Sequence, residues 1–404
     1  MNRAMLMSRG APIVAMGGVI AAVCGGWTKQ QTQPPPPPLG APIQGISQTE
    51  LTAWRAGLNA FLRPQGPADG LGPVFNARSC VECHRAGAPG GASTDLGVSR
   101  VTRIGGIVNG VYSDLTNVGG PLMQARSLRE VNPNYPFPGE RPPVGTQFVS
   151  RRMTTPLFGL GLIEAIPGST ISANSAIARP DGIHGVPNLV FNPETNTSQI
   201  GRFGWKGHVS SLHLFSADAA LNEIGITNPT FKVDNLPQGN PDPRGSDHVT
   251  DPENGGADVA NFTVFMRFTS PPPTLPQTAQ MIRGSQLFNT MNCAACHIPT
   301  MQTGASYTPT LANKPVNLYS DLLLHHMGAG LADGIRMGTA TGDQWKTAPL
   351  WGLRFRPFYL HDGRASTVEQ AILQHGGEAT AARNRYQNFT PLDKAAVLAF
   401  LGGI

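Results

Sequence analysis

Apolar residues fall at helical spacing in a few places, separated by long stretches without a sustained period. Leu51, Trp54, Leu58, Phe61 and Leu62 recur on one helical face, and Ser47-x-x-Glu50 ahead of them is a capping box, so a helix starts there. From that helix to about residue 256 the chain is broken every few positions by Gly or Pro. This predicts short helices, turns and a few short strands. Ala257–Phe268 and Ala279–Phe288 read as further helices. The last helix is capped by Thr390 and Pro391, carries Asp393 in its first turn, and repeats Leu392, Ala396, Val397, Phe400 and Leu401. Thr269–Gln277, with Pro271, Pro272, Pro273 and Pro276, reads as a linker between two units.

The N-terminus has a different pattern. Arg3 and Arg9 precede an apolar stretch from Ile13 to Val23, about half the length that crosses a membrane. Residues 1–30 are therefore expected to be an export signal or an N-terminal anchor, with periplasmic localisation. Lipidation of Cys24 is the alternative to its removal with the signal. Residues 31–45, containing the proline run Pro34–Pro38, form a Pro-rich linker. No second apolar stretch reaches spanning length, so no integral membrane domain is expected.

Composition narrows the class. Among 404 residues there are 48 glycines and 37 prolines, which excludes coiled coils and long-helix bundles, since both residues break helix interiors. No GxGxxG, no GxxxxGK[ST] and no long Val/Ile run supports a nucleotide-binding parallel sheet. The net charge of +5 comes without a dense Lys/Arg block, so the sequence supports no nucleic-acid role.

The cysteines carry the chemistry. Four of the five lie in two CxxCH motifs, Cys80-Val81-Glu82-Cys83-His84 and Cys293-Ala294-Ala295-Cys296-His297. This is the c-type haem attachment signature: both thiols bond the ring and the adjacent His ligates the iron. A zinc site or redox dithiol is the alternative for CxxC alone, but both motifs carry the His and no further Cys pair is present. Each motif follows a helix. A carbonyl of the following Ile298-Pro299 is expected to accept the His297 Nδ1–H. No His lies between His84 and His184, so the first haem lacks a distal His nearby in sequence, which points to an open coordination position. The fold class expected is mainly α: two cytochrome c-like haem domains, 46–270 and 278–404, with extensive loops and few short strands.

Several segments arranged around the two motifs resemble one family. They are Asp69-Gly70-Leu71-Gly72-Pro73 with Phe75-Asn76, then Pro156-Leu157-Phe158-Gly159-Leu160-Gly161-Leu162, then Gly201-Arg202-Phe203-Gly204-Trp205-Lys206. Trp345-Lys346-Thr347-Ala348-Pro349-Leu350-Trp351-Gly352-Leu353 follows, and His361-Asp362-Gly363-Arg364-Ala365 precedes His375-Gly376-Gly377-Glu378-Ala379. Together they resemble the di-haem oxidoreductases, also described as predicted thiol oxidoreductases, which are related to bacterial di-haem cytochrome c peroxidases.

The resemblance implies roles. His375 falls where the distal ligand of the C-terminal haem lies, which makes His297/His375 a bis-His pair; Met327 is the runner-up, and His325 and His326 are candidates for bonding propionates. Trp205 resembles an electron relay between the haems, and Glu223 a distal glutamate that moves a peroxide proton. His208 stands where the family usually has Arg, and the dissociable distal His near the first motif has no counterpart. Thr347 and Pro349 resemble positions whose carbonyls help bind Ca2+, and Arg202 and Arg364 are candidates for the haem propionates. The function expected is an exported di-haem oxidoreductase. It takes electrons from a small redox protein at the C-terminal haem and passes them to an N-terminal catalytic haem that reduces peroxide. A dioxygen-activating oxygenase and a non-catalytic electron carrier are the alternatives.

Overall fold

The computed structural model describes residues 35–97, 100–241, 249–306 and 308–404. The expected signal, Cys24, Pro34 of the proline run and His248 lie outside the described residues. Ten α-helices occur among those described: α1 (Gln48–Leu62), α2 (Cys80–Cys83), α3 (Leu160–Glu164), α4 (Gly168–Ser175), α5 (Leu212–Ile224), α6 (Ala257–Phe268), α7 (Ala279–Thr290), α8 (Val368–Leu373), α9 (Thr380–Gln387) and α10 (Pro391–Gly403). Helix of α and 3-10 type together makes up 35% of the described residues and strand 14%, so helix outweighs strand.

The capping signals operate as written. Ser47 accepts from the Glu50 backbone N–H while Glu50 accepts from that of Ser47, closing both arms of the box. Thr390 caps α10 through the Asp393 N–H, with Pro391 at the first helical position. The α6 bounds match those read from sequence, and α7 runs two residues further, to Thr290.

Each motif is gripped by the same packing device. α1 packs on α6, and α7 packs on α10. Each crossing has a glycine in close contact with the partner backbone: Gly57 faces the Asn261 carbonyl and Gly284 the Ala396 carbonyl, so a Cβ at either position has no room. Each also places a phenylalanine of the leading helix between a phenylalanine of its partner and the motif histidine. Phe61 lies 4.5 Å from Phe265 and 6.1 Å from His84. Phe288 lies 5.4 Å from Phe400 and 6.5 Å from His297. The arrangement is duplicated although the sequence is not. The linker 269–277 has no regular structure, yet it is pinned at both ends: Trp54 Nε1 donates to Thr269 Oγ1, and the Leu275 N–H to the Gly403 carbonyl.

Two features exceed the sequence expectation. α5 is a 13-residue helix within the Gly/Pro-rich stretch. A four-stranded antiparallel sheet is also present, where only a few short strands were expected. β1 (Arg100–Val108) pairs with β2 (Val111–Ser113), β3 (Leu122–Met123) and β4 (Phe148–Met153). Arg103 pairs with Leu122 and Ser150, and Val101 with Arg152. Directly opposed residues share a face, so Val101, Arg103, Leu122 and Arg152 project from the same side of the sheet.

Candidate active site: two haem cavities joined by Trp205

The first motif opens on a cavity of about 150 Å³ and the second on one of about 210 Å³. Cys80, Cys83 and His84 line the first; Cys293, Cys296 and His297 line the second. Burial pushes the Cys80 and Cys293 thiols up to about 12, with the neighbouring motif cysteine adding to the shift. That is opposite to a redox dithiol, whose thiolate is favoured. Among the described residues no group of three or more His, Cys, Asp or Glu could hold a metal ion by itself. The donor sets therefore fit haem c and do not fit zinc.

In the second cavity His297 and His375 are both part of the wall. His297 Nδ1 donates to the Tyr319 carbonyl at 2.9 Å, so the acceptor is not in Ile298-Pro299; the chain returns from a later loop to supply it. His375, just beyond α8, donates Nδ1–H to the Ala371 carbonyl at 2.8 Å. A ring bonded through Nδ1 leaves Nε2 for a metal. Burial lowers the pKa of His297 to about 4, with the nearby His375 adding to the shift, and burial lowers that of His375 too. Both rings are thus neutral and able to ligate. Met327 lines the same wall.

His325 and His326 are otherwise engaged. They lie on β5 (Leu324–His326), paired with β6 (Gln344–Lys346). His325 is clamped between Asp321 at 3.0 Å and Glu378 at 2.8 Å, one on each ring nitrogen. With both nitrogens used, it has no donor left for a propionate. His326 is exposed and pairs with Asp343.

Trp205 lines both cavities. Its Nε1 donates to the Met153 carbonyl at 2.7 Å and its own carbonyl accepts from the Lys346 N–H at 3.0 Å, so sheet and hairpin fix it from two sides. A small third cavity of about 50 Å³ lies beside it, walled in part by Arg202, Lys346 and Arg356. The Nε atoms of Arg202 and Arg356 are buried without a hydrogen bond. Burial, with the charge of Arg356, brings the Lys346 ammonium down to about 8, and burial brings Arg356 to about 10. Buried cations of this kind call for an anion, and haem carboxylates meet that demand. Arg202 keeps its sequence-based candidacy. Arg364 does not line these cavities; it is exposed and bound to Asp362 and the Gly330 carbonyl.

The calcium expectation does not fit. The Thr347 carbonyl accepts from Ser320 Oγ at 2.6 Å and Lys346 Nζ at 3.4 Å, and the Pro349 carbonyl from Arg356 Nη2 at 3.2 Å. Both proposed calcium ligands face donors of the chain itself, two of them cationic.

The first cavity is also lined by Glu223 and Asp218 of α5, His208, and Arg103 and Arg152 from the sheet. Glu223 Oε2 accepts from Asn76 Nδ2 at 3.0 Å. Burial, reinforced by Asp218 and opposed by Asn76 and Arg103, pushes Glu223 up to about 7. Burial and the charges of Arg103, Arg152, Lys206 and Lys346 hold His208 well below its usual range. Its Nδ1 has no hydrogen-bond partner, unlike the braced Nδ1 of His375. Sequence reading thus placed His84, Trp205 and Glu223 in this cavity and missed Arg103. It also gave no role to Lys346 and Arg356 in the neighbouring cavity, whose sequence surroundings carry no signal of burial.

A family model described as "Di-haem oxidoreductase, putative peroxidase" matches residues 146–404. No match was found among curated proteins. Similar solved structures include hydrazine synthase from Kuenenia stuttgartiensis, at 12% identity over 98% of this chain and 100% of that one, with a TM-score of 0.41. The diheme peroxidase BthA from Burkholderia thailandensis shows 15% identity over 87% of this chain and 85% of that one, TM-score 0.39. A MauG-like protein associated with microbial copper homeostasis shows 16% identity over 61% and 88%, TM-score 0.32. With the family match covering well over half of its length, the chain belongs to the di-haem oxidoreductase family and is a peroxidase-like oxidoreductase.

Proposed function

We propose that the protein is an exported di-haem c-type peroxidase with two unequal sites. Cys80, Cys83 and His84 hold one haem within the unit built on α1, α5 and α6. Cys293, Cys296 and His297 hold the other within the unit built on α7 and α10, with His375 as the second axial ligand. Haem c supplies one-electron chemistry at both sites and, where a coordination position stays open, cleavage of the O–O bond. The residues divide the remaining work. Trp205, common to both walls, carries electrons from the C-terminal site, where a small redox protein delivers them, to the N-terminal site. Glu223, ionised above about pH 7, takes a proton from one peroxide oxygen and returns it to the other. Lys346, Arg356 and Arg202 receive haem carboxylates, and the first two also occupy the carbonyls otherwise available to calcium.

The observation that carries this reading is the inequality of the two cavity linings. One presents an imidazole braced by a carbonyl; the other presents acids, a cation and an unbraced imidazole. Hydrogen peroxide turnover with a reduced cytochrome donor tests it. Catalytic consumption of both is expected, and an absence of turnover in protein carrying both haems overturns it. A second reading, pure electron transfer, has one observation in its favour: His208 lies in the first cavity and stays neutral.

A further inference from the structure

The sheet wall of the N-terminal cavity carries a cation that the protein leaves unanswered. Arg103 sits mid-strand in β1, paired on both sides, and is 8% exposed. Among the described residues its guanidinium has no hydrogen bond, no ion pair and no aromatic face. Arg152, on the same face of the sheet, is by contrast tied to Asp333 at 2.6 Å. A buried guanidinium without a partner is costly and persists where a ligand completes it. Arg103 lines the cavity together with Glu223, Asp218 and His208, and its charge is felt by all three.

We propose that Arg103 is a catalytic residue of the N-terminal site, binding the peroxide and holding the negative charge that develops on the departing oxygen. The overall step is H2O2 + 2 H+ + 2 e− → 2 H2O. The O–O bond breaks and peroxide is reduced. Both electrons come from the small redox protein through the C-terminal site, both added protons come from solvent, and Glu223 relays the proton between the two oxygens. A preorganised cation on a rigid strand acts where charge develops and needs no reorganisation. A haem carboxylate is the competing partner, but it would stand beside Glu223 and Asp218, two acids already pushed upward. Arg202, Lys346 and Arg356 offer carboxylates a better place.

The proposal rests on the open-site reading above, and the test separates the two. Wild type, R103Q and R103K are matured with haem, their haem content is measured, the ferric forms are titrated with fluoride, and their reaction with H2O2 is followed by stopped flow. R103Q is expected to retain two haems per chain, to bind fluoride at least tenfold more weakly as a charge-assisted bond is lost, and to react with peroxide about 10²–10³-fold more slowly. R103K, which keeps the charge but not the fork, falls between. If R103Q does not mature, R103K decides by the same readouts. Unchanged fluoride affinity and peroxide rate overturn the role. A changed haem content with unchanged fluoride affinity also overturns it, by assigning Arg103 to a carboxylate. A wild-type protein that binds no fluoride removes the open-site reading itself, and the proposal with it.

Discussion

At the residue scale, function turns on what each cavity side chain can donate, accept or ligate. His375 is fixed by its Nδ1 bond to Ala371 and neutralised by burial, a state suited to iron and poorly suited to acid–base work. His375→Ala should therefore turn one low-spin ferric haem into a high-spin one while both haems stay attached; an unchanged absorption spectrum excludes it as a ligand. Glu223 is the opposite case. Its working form as a base is the carboxylate, and its pKa is raised to about 7 by burial and by Asp218 of the same helix, against Arg103 of β1 and Asn76. Rate should therefore climb as pH rises through about 7 and level off above it. His208 stays neutral across this range and adds no limb. Glu223→Gln should lower kcat/KM for peroxide by about 10²–10⁴-fold and abolish the pH-dependent rise. A variant with the wild-type profile assigns the proton to another group.

At the element scale, the reading succeeded where local chemistry decides and failed where tertiary context does. The capping box at Ser47, the Thr390-Pro391 start and the stripes of α1 and α10 are local signals, and each marks a helix end or face. α5 has caps, Ser211 at its start and Gly225 at its end, but no stripe between them. Leu212, Leu214, Ser216, Ala217, Ala220, Leu221 and Ile224 are buried around much of its circumference, so no amphipathic stripe marks it, although it carries Glu223. β1 reads Arg-Val-Thr-Arg-Ile-Gly-Gly-Ile-Val, with paired glycines and two arginines interrupting the strand alternation. Nothing in a sequence tells a solvated arginine from one turned into a cavity, which is why Arg103 stayed hidden. The helix crossings make their own prediction. Gly284 meets the Ala396 carbonyl, so Gly284→Ala should force α7 and α10 apart and cost about 1–3 kcal/mol in chemical denaturation. An unchanged denaturation midpoint contradicts the close crossing.

At the scale of the whole molecule, the two CxxCH motifs were legible from spacing alone, and so was the repetition of a helix before each. The resemblance, not the spacing, pointed to His375, Trp205 and Glu223, and the fold brings each to a cavity wall. The inter-site cations were not legible, because Lys346 and Arg356 acquire their meaning from burial beside Trp205. What emerges is one chain in which two similar helical grips hold two dissimilar sites. Low-temperature EPR of the matured ferric protein tests that inequality most directly. The account predicts two haems per chain, one giving a low-spin signal and the other a high-spin signal; two low-spin signals, or fewer than two attached haems, would contradict it.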